Sequence, residues 1–209
     1  MESVARGGTR WKRFAVVMVP SVAATAAIGV ALAQGALAAS FSVSGQQFKV
    51  TAKSLDGEGF VQYGAMDVGK SGKHPVAVVG MEEARIRNLC QSVVVPVPVF
   101  GDVSMKLTAG GKGAPRVYAK KLFIDADDLK ANATFTNVDI GVSVDRTTKG
   151  PGTNPQDQPG KQYVPDSFAQ QADKVRFTDV KQRAWATSAG TFKLSGLHMS
   201  VKKGKHECY

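Results

Sequence analysis

Residues 138–145 read VDIGVSVD, with Val138, Ile140, Val142 and Val144 alternating with Asp139, Gly141, Ser143 and Asp145. An apolar residue at every second position puts all four valine-like side chains on one side of an extended chain, the period of a half-buried strand and not of a helix. The same period recurs outward from this stretch. Leu197, Met199 and Val201 alternate with His198, Ser200 and Lys202; Val103, Met105 and Leu107 make a third case, and Phe48, Val50 and Ala52 a fourth. Between the runs lie glycine-containing breaks at Asp56-Gly57-Glu58-Gly59, residues 69–72, Gly110-Gly111-Lys112-Gly113 and Gly150-Pro151-Gly152. With 22 glycines and strands at this spacing, the expected fold is all-β: a sandwich, a folded sheet or a solenoid-like stack of short strands.

Residues 92–100, SVVVPVPVF, depart from that pattern. Pro96 and Pro98 remove two backbone donors from one side, so an edge strand with that side unpaired is expected. A weak internal similarity joins Ala119-Lys120-Lys121-Leu122 and Thr134-Phe135 to Ala172-Asp173-Lys174-Val175 and Thr191-Phe192, with Ala52 to Leu55 as a further echo. Stacked repeats would produce it, and so would any set of similar strands. Between the copies, residues 148–166 hold four of the nine prolines and are expected to form a surface loop or linker too polar and broken to pack.

The β-rich part follows a basic segment, residues 1–13, with Arg6, Arg10, Lys12 and Arg13, and an uncharged one, residues 14–39. This second segment is expected to be a single N-terminal hydrophobic helix, either a signal peptide or a transmembrane anchor. The 25 uncharged residues from Phe14 to Ala38 suffice for the roughly 20 needed to cross a bilayer, which favours retention. Ala36-Leu37-Ala38 has the small-residue form of a cleavage site, which favours removal. Either way the basic flank stays inside, and residues 40–209 are expected outside the cytoplasm. In a retained helix, Ser21, Thr25, Gly29 and Ala33 would form one small-residue ridge for packing a second helix.

Export constrains the remaining features. Cys90 and Cys208 are the only cysteines, and an even count in an oxidising compartment reads as one disulfide. Residues 40–209 keep 23 basic and 16 acidic residues, net +7. Nucleic acid is not the expected partner, because the charges are scattered and the domain is exported. Phospholipid headgroups and anionic envelope polymers are.

Catalytic and metal patterns are sparse. Asp125, Asp127 and Asp128 resemble the start of a calcium loop, but Lys130 and Thr136 occupy the positions that need glycine and an acid, so a solvated acidic turn is expected. Asn132-Ala133-Thr134 fits a glycosylation acceptor. His74, His198 and His206 form no metal spacing with the cysteines, and no cofactor motif appears.

The leader, NLCQSVVVPVPVFGDVSMKLTAGG (88–111), ATFTNVDIGV (133–142), FAQQAD (168–173) and the closing GTFKLSGL with its Cys-Tyr resemble an uncharacterised family of actinobacterial envelope proteins often labelled cholesterol esterase. The resemblance implies an exported or N-terminally anchored β-rich protein, with a small multi-spanning membrane protein as partner. It brings no catalytic residues. The esterase label requires a nucleophile elbow, and the nearest match is Ala186-Thr187-Ser188-Ala189-Gly190. VKQRAW before it is no buried strand, and TFKLSGL after it is no helix, so Ser188 is a weak candidate.

Two functions therefore stand at this level. One is a non-enzymatic envelope protein that binds a membrane partner, an envelope lipid or itself as a homo-oligomer; the other is a lipid-ester hydrolase. Leu122, Ile124, Leu129, Phe135, Val138 and Ile140 either fill a core or line an apolar groove for an acyl chain, with the core favoured.

Overall fold

The computed structural model describes residues 45–69, 72–158 and 160–209. The leader lies outside the described residues, and with it the predicted N-terminal helix and its ridge of Ser21, Thr25, Gly29 and Ala33. The rest is all-β: β1 (Phe48–Gly69), β2 (Gly72–Arg87), β3 (Leu89–Val97), β4 (Gly101–Ala109), β5 (Val117–Ser143), β6 (Phe168–Lys193) and β7 (His198–Lys203), with one 3-10 turn at Val144–Arg146. Among the described residues no helix is long and apolar enough to cross a membrane.

All seven strands join one antiparallel sheet in the order β2-β5-β6-β1-β3-β4-β7, and an additional β1–β2 ladder closes the first four into a ring. The remaining three, β3, β4 and β7, leave the ring as a wing. The two parts are built from shared lines of chain. β2 and β3 both pair with β1 in one register, Ser54 opposite Arg87 and Thr51 opposite Cys90. Only Asn88 intervenes, at φ +54°, a left-handed conformation that asparagine tolerates. At that residue the neighbour on the far side changes from β5 (Ile86 opposite Val117) to β4 (Leu89 opposite Ala109).

The ring encloses the main core, including Val50, Ala52, Phe60, Met81, Leu122, Ile124, Val175 and Phe177. Phe60, Phe135 and Phe177 pack with ring centroids 5.3 to 6.2 Å apart, within the range that favours edge and tilted contacts. Alternate side chains of the same strands, among them Val61, Tyr63, Val78 and Phe123, form a second core on the outer face with Val144, Tyr163 and Ala169. Ser42–Tyr209 is one compact unit, and both cores and the disulfide belong to it.

Four expectations are corrected. The strands are not short: β1, β5 and β6 run for 22, 27 and 26 residues. Gly57 and Gly59 do not break β1 but make room, since a Cβ on Gly57 would meet Met81 Sδ at 2.6 Å and one on Gly59 would meet Gly150 Cα at 3.0 Å. Nor is the segment after Val144 too polar to pack. Asn154 and Tyr163 are buried, and the loop closes over the second core, with Met66 N donating to Gln162 O at 2.6 Å. The two similar stretches are also not stacked repeats; they are the arms of one hairpin, with Lys120 opposite Thr191 and Phe135 opposite Val175.

Candidate functional site

The wing inverts the burial expected of its sequence. Its cross-strand rows are Gln91-Leu107-Met199, Val93-Met105-Val201 and Val95-Val103-Lys203, all on the side that continues the ring interior. Beyond the ring nothing among the described residues closes over this face. Met105, Met199 and Val201 are 43, 56 and 60% exposed, Leu197 and Val97 are exposed as well, and a shallow groove runs between Val93, Met105, Leu107 and Met199. Scattered exposed apolar residues are ordinary, whereas a contiguous set on one sheet face is a mark of a binding surface.

The opposite face holds the small polar residues, and these are the buried ones. Ser92 and Ser104 are each only 1% exposed because the C-terminal tail lies across them. Ser104 Oγ donates to Gly204 O at 2.5 Å and accepts from His206 N at 2.8 Å; Ser92 Oγ accepts from Cys208 N at 3.0 Å. The serines thus satisfy tail backbone groups that would otherwise be buried without partners. Cys90 bonds to Cys208 across a sequence separation of 118, with Cα atoms 6.0 Å apart, and Lys49 Nζ holds Glu207 Oε2 at 3.0 Å.

At the end of the wing, Val97, Pro98, Val99 and Phe100 form the turn between β3 and β4, closed by Phe100 N donating to Val97 O at 3.1 Å. Proline second and a positive φ third is the pattern of a type II turn, a position that calls for glycine. Here it is Val99, at φ +68° and fully exposed, with Phe100 beside it 59% exposed. The edge expectation holds in modified form: β3 pairs with β4 throughout, but with β1 only from Cys90 to Val93. Pro96 lies in the part without a β1 partner, and Pro98 lies in the turn.

A second unusual site lies under the loop on the outer face. Asp125, 4% exposed, is not part of a solvated acidic turn. It sits inside β5 opposite Val78, and Val78 is in turn opposite Tyr63. Asp67 is 6% exposed; its Oδ2 and Asp125 Oδ1 have no hydrogen-bond partner. Burial, reinforced by repulsion from Asp67 and Asp157, pushes the Asp125 carboxyl up to about 8, and burial with Asp157 nearby pushes Asp67 to about 6. Tyr63 joins the loop to this cluster, donating to Asp157 Oδ2 at 2.5 Å and accepting from Asn154 N at 2.8 Å. Burial raises Asp157 as well, and burial with the Asp157 carboxylate raises Tyr63. Asp125 therefore holds its proton at neutral pH. Among the described residues no group of three or more His, Cys, Asp or Glu could hold a metal.

The candidate groove residues are divided by the structure. Leu122 and Ile124 are core, lining an internal cavity of about 30 Å³, room for one water and not for an acyl chain. Leu129 and Phe135 pack half-buried against that core, while Val138 and Ile140 are exposed toward the far end of the β5–β6 hairpin. Ser188 sits within β6 opposite Phe123, in an extended strand and not on a turn. His74 stacks on Trp185 with centroids 3.7 Å apart, and His198 is at the other end of the sheet in β7, opposite Thr108. Sequence reasoning missed Tyr63, Asp67 and Asp157. A charged residue in the apolar run Leu122-Phe123-Ile124-Asp125-Ala126 was the available signal for Asp125.

No curated protein and no solved structure matches the chain. Residues 44–209 match a Family of unknown function (DUF6230), a span that takes in every strand, both cores and the disulfide. The chain belongs to that family.

Proposed function

We propose that this is an exported, non-enzymatic envelope protein, held at the membrane by its N-terminal segment, that binds the acyl part of an envelope lipid along the wing. The observation that carries the proposal is the exposed set Met105, Met199 and Val201, flanked by half-buried Val93 and Leu107, on the face that elsewhere becomes the ring core. A sheet face of this composition is stable in water only at the cost of exposed apolar surface, and about 25 cal/mol per Å² is recovered when a hydrocarbon chain covers it. The basic balance of residues 40–209 complements anionic headgroups. The esterase reading draws no support from Ser188, whose mid-strand position offers neither an elbow nor a neighbouring helix N-terminus.

The test uses residues 40–209 and a fluorescent long-chain fatty acyl probe. Met105→Ser with Met199→Ser should weaken probe binding about tenfold or more, with little change in unfolding temperature. Turnover of an acyl-ester panel, abolished by Ser188→Ala, would instead establish the hydrolase.

A further inference from the structure

We propose that the tip of the wing, Val97 to Phe100, is a membrane-insertion element that docks the domain on an anionic bilayer surface. The inference rests on the reading that the domain works at an envelope membrane, but it concerns a different set of residues from the acyl-binding face.

Three observations meet at this tip. The first is composition: Val97, Val99 and Phe100 are all exposed at one projecting turn, with Pro96 and Pro98 keeping it free of further ladder pairing. The second is backbone strain. A β-branched residue at φ +68° is strained relative to glycine, and Val99 recovers none of that strain by packing, because its side chain is fully exposed. Such a residue is costly in the isolated domain and useful where the turn enters hydrocarbon.

The third is charge. Lys203 Nζ lies 5.0 Å from the centroid of the Phe100 ring, and Lys205 Nζ lies 3.7 Å from Asp102 Oδ2. Two lysines and one aspartate therefore border the apolar turn. Apolar side chains at the front and lysines just behind them match the layering of hydrocarbon and anionic headgroup in a bilayer surface. The chain path is compatible with this orientation. β1 enters the sheet at Phe48 opposite Val93, on the strand that ends at the tip.

The experiment is co-sedimentation of residues 40–209 with vesicles of phosphatidylcholine alone or mixed equally with phosphatidylglycerol. Binding is expected to the mixed vesicles only, to fall as salt rises, and to weaken about tenfold or more in Phe100→Ser and in Val99→Gly. Val99→Gly relieves the left-handed strain, so its unfolding temperature should not fall, and loss of binding cannot then be put down to misfolding. Phe100→Ser gives a second test at a residue whose exposure frees it from any core role. Met199→Ser should leave vesicle binding unchanged while weakening the acyl probe, so failure of either proposal is visible separately. Equal binding to both vesicle types, or binding indifferent to both tip substitutions, would overturn the tip proposal. So would a dimer in sedimentation that the tip substitutions dissolve, which would assign the turn to a second copy.

Discussion

The ring and the wing are two ends of the same lines of chain, and they differ in what covers them. In the ring one face is buried by the opposite strands, and the loop after Val144 buries the part of the other around Tyr63, the rest of which carries exposed charges such as Arg85, Arg176 and Arg183. In the wing only one face is covered, the polar one, and a tail fastened by a disulfide covers it. Alternation along a strand is therefore the same in both, while its meaning is reversed. The ring uses alternation to make two cores; the wing uses it to hide its serines and leave its methionines open. The bare surface of the wing is the one proposed above to take an acyl chain.

The comparison breaks most visibly through the disulfide. Cys208→Ser should release the tail and cost roughly 4–5 kcal/mol by loop-closure entropy. Hydrogen exchange should show lost protection at Gly204 to Cys208 well before the ring strands. An equal large-to-small change at the two ends sharpens the contrast. Phe60→Ala, in the ring core, should cost about 3–5 kcal/mol in denaturant unfolding, whereas Met199→Ala in the wing should change stability by less than about 0.5 kcal/mol.

A third prediction concerns the loop that the wing lacks. Asp125 keeps its proton in the native state up to about pH 8, while the unfolded chain releases it near 3.8. Its raised native pKa means that this group's contribution to stability is greatest below about pH 4 and falls as pH rises toward 8, with Asp67 adding to the fall between about 4 and 6. Asp125→Asn should therefore stabilise the domain at pH 8 by on the order of 2–4 kcal/mol and leave it nearly unchanged at pH 4. Urea unfolding at the two pH values measures the difference. A smaller cost than at Phe60 is expected at Gly150, where φ is +85° and a Cβ would approach Gly59 O to 2.9 Å. Gly150→Ala should cost about 1–3 kcal/mol and expose the second core, read as faster proteolysis within the loop.

Strand periodicity made the fold class legible, and the cysteine count made the disulfide legible, because both follow from local chemistry or from simple pairing. Which face of each strand is covered did not follow. Met199 and Val50 occupy equivalent positions in similar patterns, and only the distant tail and ring closure decide that one is exposed and the other buried. Gly59 resembled a break because glycine marks turns, and its actual use, allowing Gly150 to approach, depends on a residue far along the chain. The buried carboxylates were hidden for the same reason: Asp125 and Asp67 lie far apart in sequence, and only the β1–β2–β5 ladders bring them to one face.

The bond between Cys90 and Cys208 also has a consequence in time. Cys208 follows every described strand, so the link cannot form until β7 and the tail have been made. The four ring strands can close beforehand, since none of their ladders involves the tail. Wing completion is thus the last step of folding, and a chain in which Cys208 has not yet bonded carries a finished ring with an unfastened end, a difference that a protease can detect.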